Sequence, residues 1–70
     1  MSQQRLEAFK GILRTKREHS GLSQRKIASK AGLTLRGYQN YEAGLGHPRV
    51  KQLIALCEAL ECTPNELLGY

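Results

Sequence analysis

Residues 34–44 read TLRGYQNYEAG. Its flanks predict a short helix, because Thr34 can cap the first turn and Gly44 can end the last. Its interior is less favourable, since tyrosine, asparagine and glycine are mediocre helix formers. A helix that keeps such residues needs a reason other than propensity. We expect the residues on one of its faces to be determined by contact with a molecule outside the protein.

At 100° per residue, the side chains of this helix divide into an inner and an outer face. Tyr38 and Tyr41 recur at i and i+3 and are predicted to face the core. The outer face is mainly polar and consists of Leu35, Arg36, Gln39 and Asn40. Arginine can bind guanine O6 and N7, and asparagine or glutamine can bind adenine N6 and N7. These four residues are candidates for base contacts, although the same pattern is typical of an ordinary solvated helix face.

The flanking sequence predicts an all-α protein of five short helices in a single domain, residues 1–70. The helices are predicted at residues 3–19, 24–31, 34–43, 49–60 and 64–68. Ser23 and Thr63 are predicted N-caps, and Thr63 forms a capping box with Glu66. Apolar spacing predicts that helix one buries Leu6, Phe9 and Leu13, and that helix four buries Val50, Leu53, Ile54, Cys57 and Leu60.

Helices two and three are predicted to form a helix-turn-helix. Ala28 is small at the point where the two helices must approach closely. Gly32 permits the left-handed backbone that a tight turn requires, and Leu33 fills the turn.

Charge is distributed unevenly along the chain, whose net charge is +5. Residues 1–36 carry nine Lys or Arg against two Glu, a balance of +7, and residues 37–70 carry two against four, a balance of −2. Such asymmetry indicates an anionic partner, either nucleic acid or a membrane surface. A membrane-binding first helix would need a cleaner basic face, and single-strand binding would need exposed aromatic rings. Duplex DNA therefore fits this charge distribution better than a membrane surface or a single strand.

Several classes of protein are disfavoured by composition. The chain has no aspartate, and its two histidines have no evident nucleophile or carboxylate beside them, so we expect no enzyme and no cofactor. Cys57 and Cys62 lie far from His19 and His47 in sequence, so no metal site is expected and the cysteines are interpreted as small apolar residues. The N-terminal sequence has no apolar signal core, and we expect a cytoplasmic protein.

From about Arg14 to Leu68 the chain resembles the Xre/Cro family of DNA-binding domains, similar to lambdoid phage repressors. The resemblance rests on Arg17, GLSQ at 21–24, Ile27-Ala28, Gly32-Leu33-Thr34, Tyr38, Tyr41, Glu42, Gly44, Pro48, LIALCEAL at 53–60 and PNELL at 64–68. It implies a lambda-repressor-like bundle. Leu35 and Gly37 depart from the polar residues usual in the family's recognition helix, and Glu61 stands where a glycine often ends helix four.

The resemblance also implies roles for individual residues. Leu35, Arg36, Gln39 and Asn40 match positions that reach base edges. Gln24 matches a residue that grips a phosphate and braces the first residues of the recognition helix. Contacts with the DNA backbone are implied for Ser23, Gln24, Arg25, Thr34, His47 and Arg49. Arg17 and Glu42 match a buried ion pair between helices one and three.

The implied function is that of a sequence-specific, double-stranded DNA-binding transcriptional regulator, most simply a repressor that acts as a homodimer on a palindromic operator. By analogy with the family, the dimer contact is expected around Asn65, Leu68 and Tyr70. The alternative is an antitoxin-type interaction module that also binds DNA. Co-purification with a small toxin would favour that alternative.

Overall fold

The computed structural model describes the backbone of residues 3–70 and the side chains of residues 7–70. Within this range the chain forms five helices: α1 (Gln3–Ser20), α2 (Gln24–Lys30), α3 (Leu35–Ala43), α4 (Val50–Leu60) and α5 (Pro64–Leu68). The predicted all-α, five-helix fold is confirmed. None of the described helices combines the length and the apolar composition that a membrane crossing requires.

The helix ends are set by local capping. Ser23, Thr34 and Thr63 each accept a hydrogen bond from the backbone N–H three residues on, so all three are N-caps. Thr34 therefore precedes α3 rather than belonging to it, and Arg49 likewise precedes α4. A Cβ atom on Gly37 would lie 3.0 Å from the capping hydroxyl of Thr34, so the glycine leaves room for this cap.

The core lies where all five described helices converge. Its largest fully buried side chains are Tyr38, Leu13, Ile27, Leu56 and Leu67. Tyr41 is half-buried against this core, so both tyrosines of α3 point inward. The side chain of Leu6, which the sequence predicted to be buried, lies outside the described side chains.

The turn between α2 and α3 has the predicted glycine geometry. Gly32 has φ +70°, and the next residue, Leu33, donates its N–H to the Ala28 carbonyl at 2.8 Å. Ala28 is buried, and Leu33 packs against the core. Four residues therefore connect α2 and α3, and the two helices pack against each other.

The predicted buried stripe of α4 is partly wrong. Val50 is 72% exposed and Ile54 is 49% exposed, whereas Cys57 and Leu60 are buried. The core face of the helix follows Leu53, Leu56, Cys57 and Leu60, which occupy i, i+3, i+4 and i+7. Val50 and Ile54 lie to one side of this face, where no other described helix covers them.

The two cysteines are free thiols close to each other at the end of α4. The Cys62 N–H donates to the Cys57 carbonyl at 3.0 Å, and the Glu61 N–H donates to the Glu58 carbonyl at 3.3 Å. This is the Schellman arrangement of a helix C-terminus. Burial raises the pKa of the Cys57 thiol to about 11, so this thiol stays protonated and packs as an apolar group. The described side chains contain no cluster of three or more residues that could hold a metal ion.

Candidate nucleic-acid interface

Glu42 fixes the inner side of α3 to two other helices. Arg17 of α1 donates to its carboxylate through Nε at 2.7 Å and through Nη2 at 3.4 Å. Gln24 of α2 donates through Nε2 at 2.9 Å. The Tyr38 hydroxyl, one turn earlier on α3, donates as well. One buried carboxylate therefore accepts hydrogen bonds from three helices.

The ion pair of Arg17 and Glu42 is largely shielded from solvent, with the two side chains 15% and 5% exposed. Arg17 also donates through Nη1 to the Leu22 carbonyl at 3.2 Å, so its guanidinium has partners on both sides. Burial opposes ionisation of Glu42, but the hydrogen bonds from Arg17, Tyr38 and Gln24 outweigh it and hold the pKa of Glu42 below its usual value. Glu42 is therefore a carboxylate at neutral pH.

The Tyr38 hydroxyl is held on the same group. Burial, together with the hydrogen bond to Glu42, raises the pKa of Tyr38 far above its ordinary value of 10.0. A neutral phenol donates to the carboxylate, which leaves no unpaired polar atom at this point in the core. Sequence reasoning placed Tyr38 inside but missed this bond. The i, i+4 spacing of Tyr38 and Glu42 was the available signal.

The network reaches the outer surface through Gln24. Its Oε1 accepts from Gln39 Nε2 at 3.2 Å, while its Nε2 donates to Glu42. Gln39 lies in the second turn of α3, so Gln24 contacts the middle of that helix rather than the first residues that the family resemblance implied. A continuous hydrogen-bonded path thus links the buried ion pair with a side chain on the outer face.

The structure places the other predicted base-contact residues on the same outer side of α3. Arg36 and Gln39 are exposed, whereas Leu35 and Asn40 are half-buried. Arg36 forms no ion pair or side-chain hydrogen bond within the described residues. Its guanidinium therefore keeps its donors available to a partner.

Five of the six predicted backbone-contact residues are exposed at or near the starts of α2, α3 and α4. Ser23 and Thr34 are exposed, and their hydroxyl oxygens are already used as N-caps of α2 and α3. Arg25 is exposed on the first turn of α2. His47 and Arg49 are exposed in the segment that leads into α4. Arg25, His47 and Arg49 therefore present side-chain N–H groups at the surface.

The predicted dimer residues lie at the far end of the chain. Asn65 is exposed on α5, and its carbonyl accepts from the Tyr70 N–H at 2.9 Å. Leu68 is half-buried against the core, so part of its side chain is already used within the subunit. Tyr70 is 69% exposed. Asn65 and Tyr70 therefore present more of their side chains at the surface than Leu68 does.

Comparison with known proteins settles the family. The helix-turn-helix family profile matches residues 13–67. The chain belongs to the helix-turn-helix family. The match spans all of α2, α3 and α4, and the Xre/Cro resemblance seen in the sequence is confirmed.

Two known proteins are similar to this chain. The chain is 33% identical over 61 residues to the transcriptional repressor RstR of the cryptic phage CTXphi from Vibrio cholerae, which covers 87% of this chain and 54% of that protein. The chain thus spans about half the length of this curated relative. It also resembles the crystal structure of the restriction-modification controller protein C.AhdI from Aeromonas hydrophila, with a TM-score of 0.84 and 32% identity over 89% of this chain and 94% of that one.

Proposed function

We propose that this protein is a sequence-specific transcriptional regulator that binds double-stranded DNA with α3 in the major groove. The observation that carries the proposal is the division of α3 into two faces. Hydrogen bonds to Glu42 hold its inner face to α1 and α2, and Arg36 and Gln39 project from its outer face. A rigid helix with free donors on one side suits direct readout of base edges.

Each residue of the outer face has a distinct role in this proposal. Arg36 binds guanine bidentately, and Gln39 and Asn40 bind adenine. Leu35 contacts a thymine methyl group. These contacts supply specificity, since each good bidentate pair contributes about 1–3 kcal/mol of discrimination.

The residues around α3 position it on the duplex. In this proposal Ser23, Gln24, Arg25, Thr34, His47 and Arg49 contact phosphates, and the exposed N-terminus of α4 adds backbone N–H groups to the same strand. Such contacts carry little sequence information but supply much of the affinity.

We further propose that the protein represses transcription as a homodimer on a palindromic operator, in the cytoplasm on the nucleoid. A single domain of this kind contacts about 600–1,000 Å² of DNA, which gives limited discrimination. Two copies on half-sites about 34 Å apart read twice as many bases. Repression agrees with the similarity to RstR. Asn65, Leu68 and Tyr70 are one candidate contact between the copies, and α4 offers another.

The test replaces the guanine-reading side chain. Arg36→Ala is expected to weaken binding to the selected operator by about 1–3 kcal/mol and to relax the preference at one base pair per half-site. Binding sites would be selected from random duplexes for the wild type and the variant, and affinities measured on both sets.

Arg25→Ala is the matched control, since it removes the same charged group from a proposed phosphate contact. It should weaken binding to all duplexes by a similar factor and leave the selected sequence unchanged. If Arg36→Ala behaves in this way too, Arg36 does not read bases. If the wild type selects no sequence and binds with no salt dependence, the antitoxin-type alternative is favoured.

A further inference from the structure

The outer face of α4 carries apolar side chains that the fold leaves uncovered. Among the described residues, the large exposed hydrophobic side chains are Leu45, Val50, Ile54 and Tyr70. Val50 and Ile54 lie one turn apart on α4, on the same side as the exposed Lys51 and Glu58. We call Val50, Lys51, Ile54 and Glu58 the outer stripe of α4.

The charged members of the outer stripe, Lys51 and Glu58, form no ion pair with any other side chain of residues 7–70. In the described part of the chain, four glutamates form ion pairs: Glu7 with Lys10, Glu18 with Arg14, Glu42 with Arg17 and Glu66 with Lys16. The remaining two, Glu58 and Glu61, are exposed near the end of α4. Lys51 likewise forms no ion pair among the described side chains. At 1.5 Å per residue, Lys51 and Glu58 are about 10 Å apart along the helix, too far to pair with each other.

The order of these side chains is basic, apolar, acidic along the helix axis. Lys51, Ile54 and Glu58 occupy positions i, i+3 and i+7 and so follow one side of the helix. A second copy related by a two-fold axis through Ile54 presents the same side chains in the reverse order. Lys51 of each copy then faces Glu58 of the other, and the two Ile54 side chains meet at the centre.

We propose that the outer stripe of α4 is the contact between two copies of this protein, with the two α4 helices packed antiparallel. This inference rests on the homodimer of the proposed function and deepens it by naming the contact surface. The interface is isologous, because the same residues contribute from both sides.

The charge pattern selects a second copy over other occupants. DNA would be repelled by Glu58 and Glu61, so the outer stripe is unsuited to a phosphate backbone. A basic segment of another protein would leave Lys51 facing a like charge. A second copy of α4 places an acidic side chain opposite Lys51, an apolar one opposite Ile54 and a basic one opposite Glu58.

Two charge reversals provide the test. In Lys51→Glu the proposed contact juxtaposes only carboxylates, and in Glu58→Lys only ammonium groups. Each variant alone is expected to self-associate at least about tenfold more weakly than the wild type. An equimolar mixture of the two should form a heterodimer, because each carboxylate of one variant then faces an ammonium group of the other. Sedimentation equilibrium without DNA measures the association, and an affinity tag on one variant shows whether it retains the other.

Folding and the C-terminal contact are measured separately. Both positions are exposed, so thermal unfolding followed by circular dichroism should show that each variant folds. Tyr70→Ser is the control for the C-terminal contact. The α4 proposal is overturned if Tyr70→Ser alone produces monomers, if the mixture does not associate, or if the wild type is monomeric at about 100 µM. Binding of one half-site duplex is tested independently, so a failure of the dimer contact leaves the DNA-binding proposal intact.

Discussion

Glu61 ends α4 in a backbone conformation that suits glycine. Its φ is 55°, and it is the one non-glycine residue among residues 3–70 with positive φ. The left-handed conformation brings the Cβ of an L-residue close to the following carbonyl and costs about 1–2 kcal/mol. The hydrogen bonds from Glu61 and Cys62 to the last turn offset this cost.

Replacing Glu61 with glycine should therefore stabilise the protein. Glu61→Gly is expected to raise the free energy of unfolding by about 1 kcal/mol, measured from the denaturant midpoint. Glu61→Ala is the matched control, because it removes the same carboxylate but retains the Cβ atom. Equal stabilisation by both variants would assign the effect to charge rather than to the backbone.

Glu42 makes the free energy of unfolding depend on pH in the acidic range. Its folded pKa lies below the ordinary 4.5, so its contribution is fully present above that pH and is lost as the pH falls through the folded pKa. The pKa of Glu66 is also lowered, chiefly by its hydrogen bond from Lys16, and this group acts in the same pH range.

Removing one donor should shift this acid transition. Gln24→Leu takes away the hydrogen bond to Glu42 Oε1 while Arg17 and Tyr38 remain, so the pKa of Glu42 should rise and stability should be lost at higher pH. Carboxyl-carbon NMR titration measures the pKa, and unfolding midpoints measured as the pH is lowered from neutral report the stability. A Glu66→Gln background excludes the second carboxylate. An unchanged Glu42 pKa would contradict the assigned bond.

Helix α3 is stabilised by the caps at its two ends and by the contacts of its inner face rather than by the helix propensity of its residues. Thr34 caps its start, and Gly44, with φ +78°, ends it. Tyr38 and Tyr41 weaken it as an isolated helix, but both pack against the core. Tyr38 also donates a hydrogen bond to Glu42. Tertiary contacts therefore stabilise a helix that the local sequence favours weakly.

Because the local sequence favours α3 weakly, loss of the Thr34 cap should measurably lower the free energy of unfolding. Thr34→Ala is expected to destabilise the protein by about 0.5–2 kcal/mol, since the Gly37 N–H loses its acceptor. Thr34→Ser keeps the hydroxyl oxygen and should cost much less. Chemical denaturation of both variants provides the comparison, and equal losses would show that the methyl group, not the cap, is responsible.

The helix ends and inner faces could largely be predicted from sequence, because capping residues and i, i+3 spacing act locally. Ser23, Thr34 and Thr63 cap as predicted, and Tyr38 points inward as predicted. Val50 and Ile54 could not be assigned correctly, because apolar spacing does not show whether a neighbouring helix covers them. The bonds from Gln24 to Glu42 and to Gln39 depend on how α2 crosses α3, which no local pattern encodes.

At the scale of the whole molecule, positive charge is concentrated in the N-terminal half. The balance is +7 for residues 1–36 and −2 for residues 37–70. In the proposed complex, a duplex on the outer face of α3 meets Arg36 on that face and Arg25 on the first turn of α2, both of which are exposed. This arrangement favours oriented association with DNA.

Binding should consequently weaken steeply with salt. The logarithm of the association constant is expected to fall linearly with the logarithm of salt concentration, with a slope of about −0.9 per phosphate contact. Arg49→Ala should reduce that slope by about one unit per subunit. Arg14→Ala is the control, since Arg14 pairs with Glu18 on α1. Equal changes for both variants would show that Arg49 acts only through net charge.

The separation of α3 into an anchored face and a free face has a consequence for how such regulators diversify. Tyr38 and Glu42 supply the packing and hydrogen bonds, so substitutions at Arg36 are nearly neutral for folding. Successive substitutions on the outer face can then change the preferred operator sequence while each intermediate protein still folds. Gln39 is the exception, because its amide is bonded to Gln24. We expect drift in operator preference to begin at Arg36 and to reach Gln39 only together with a change at Gln24.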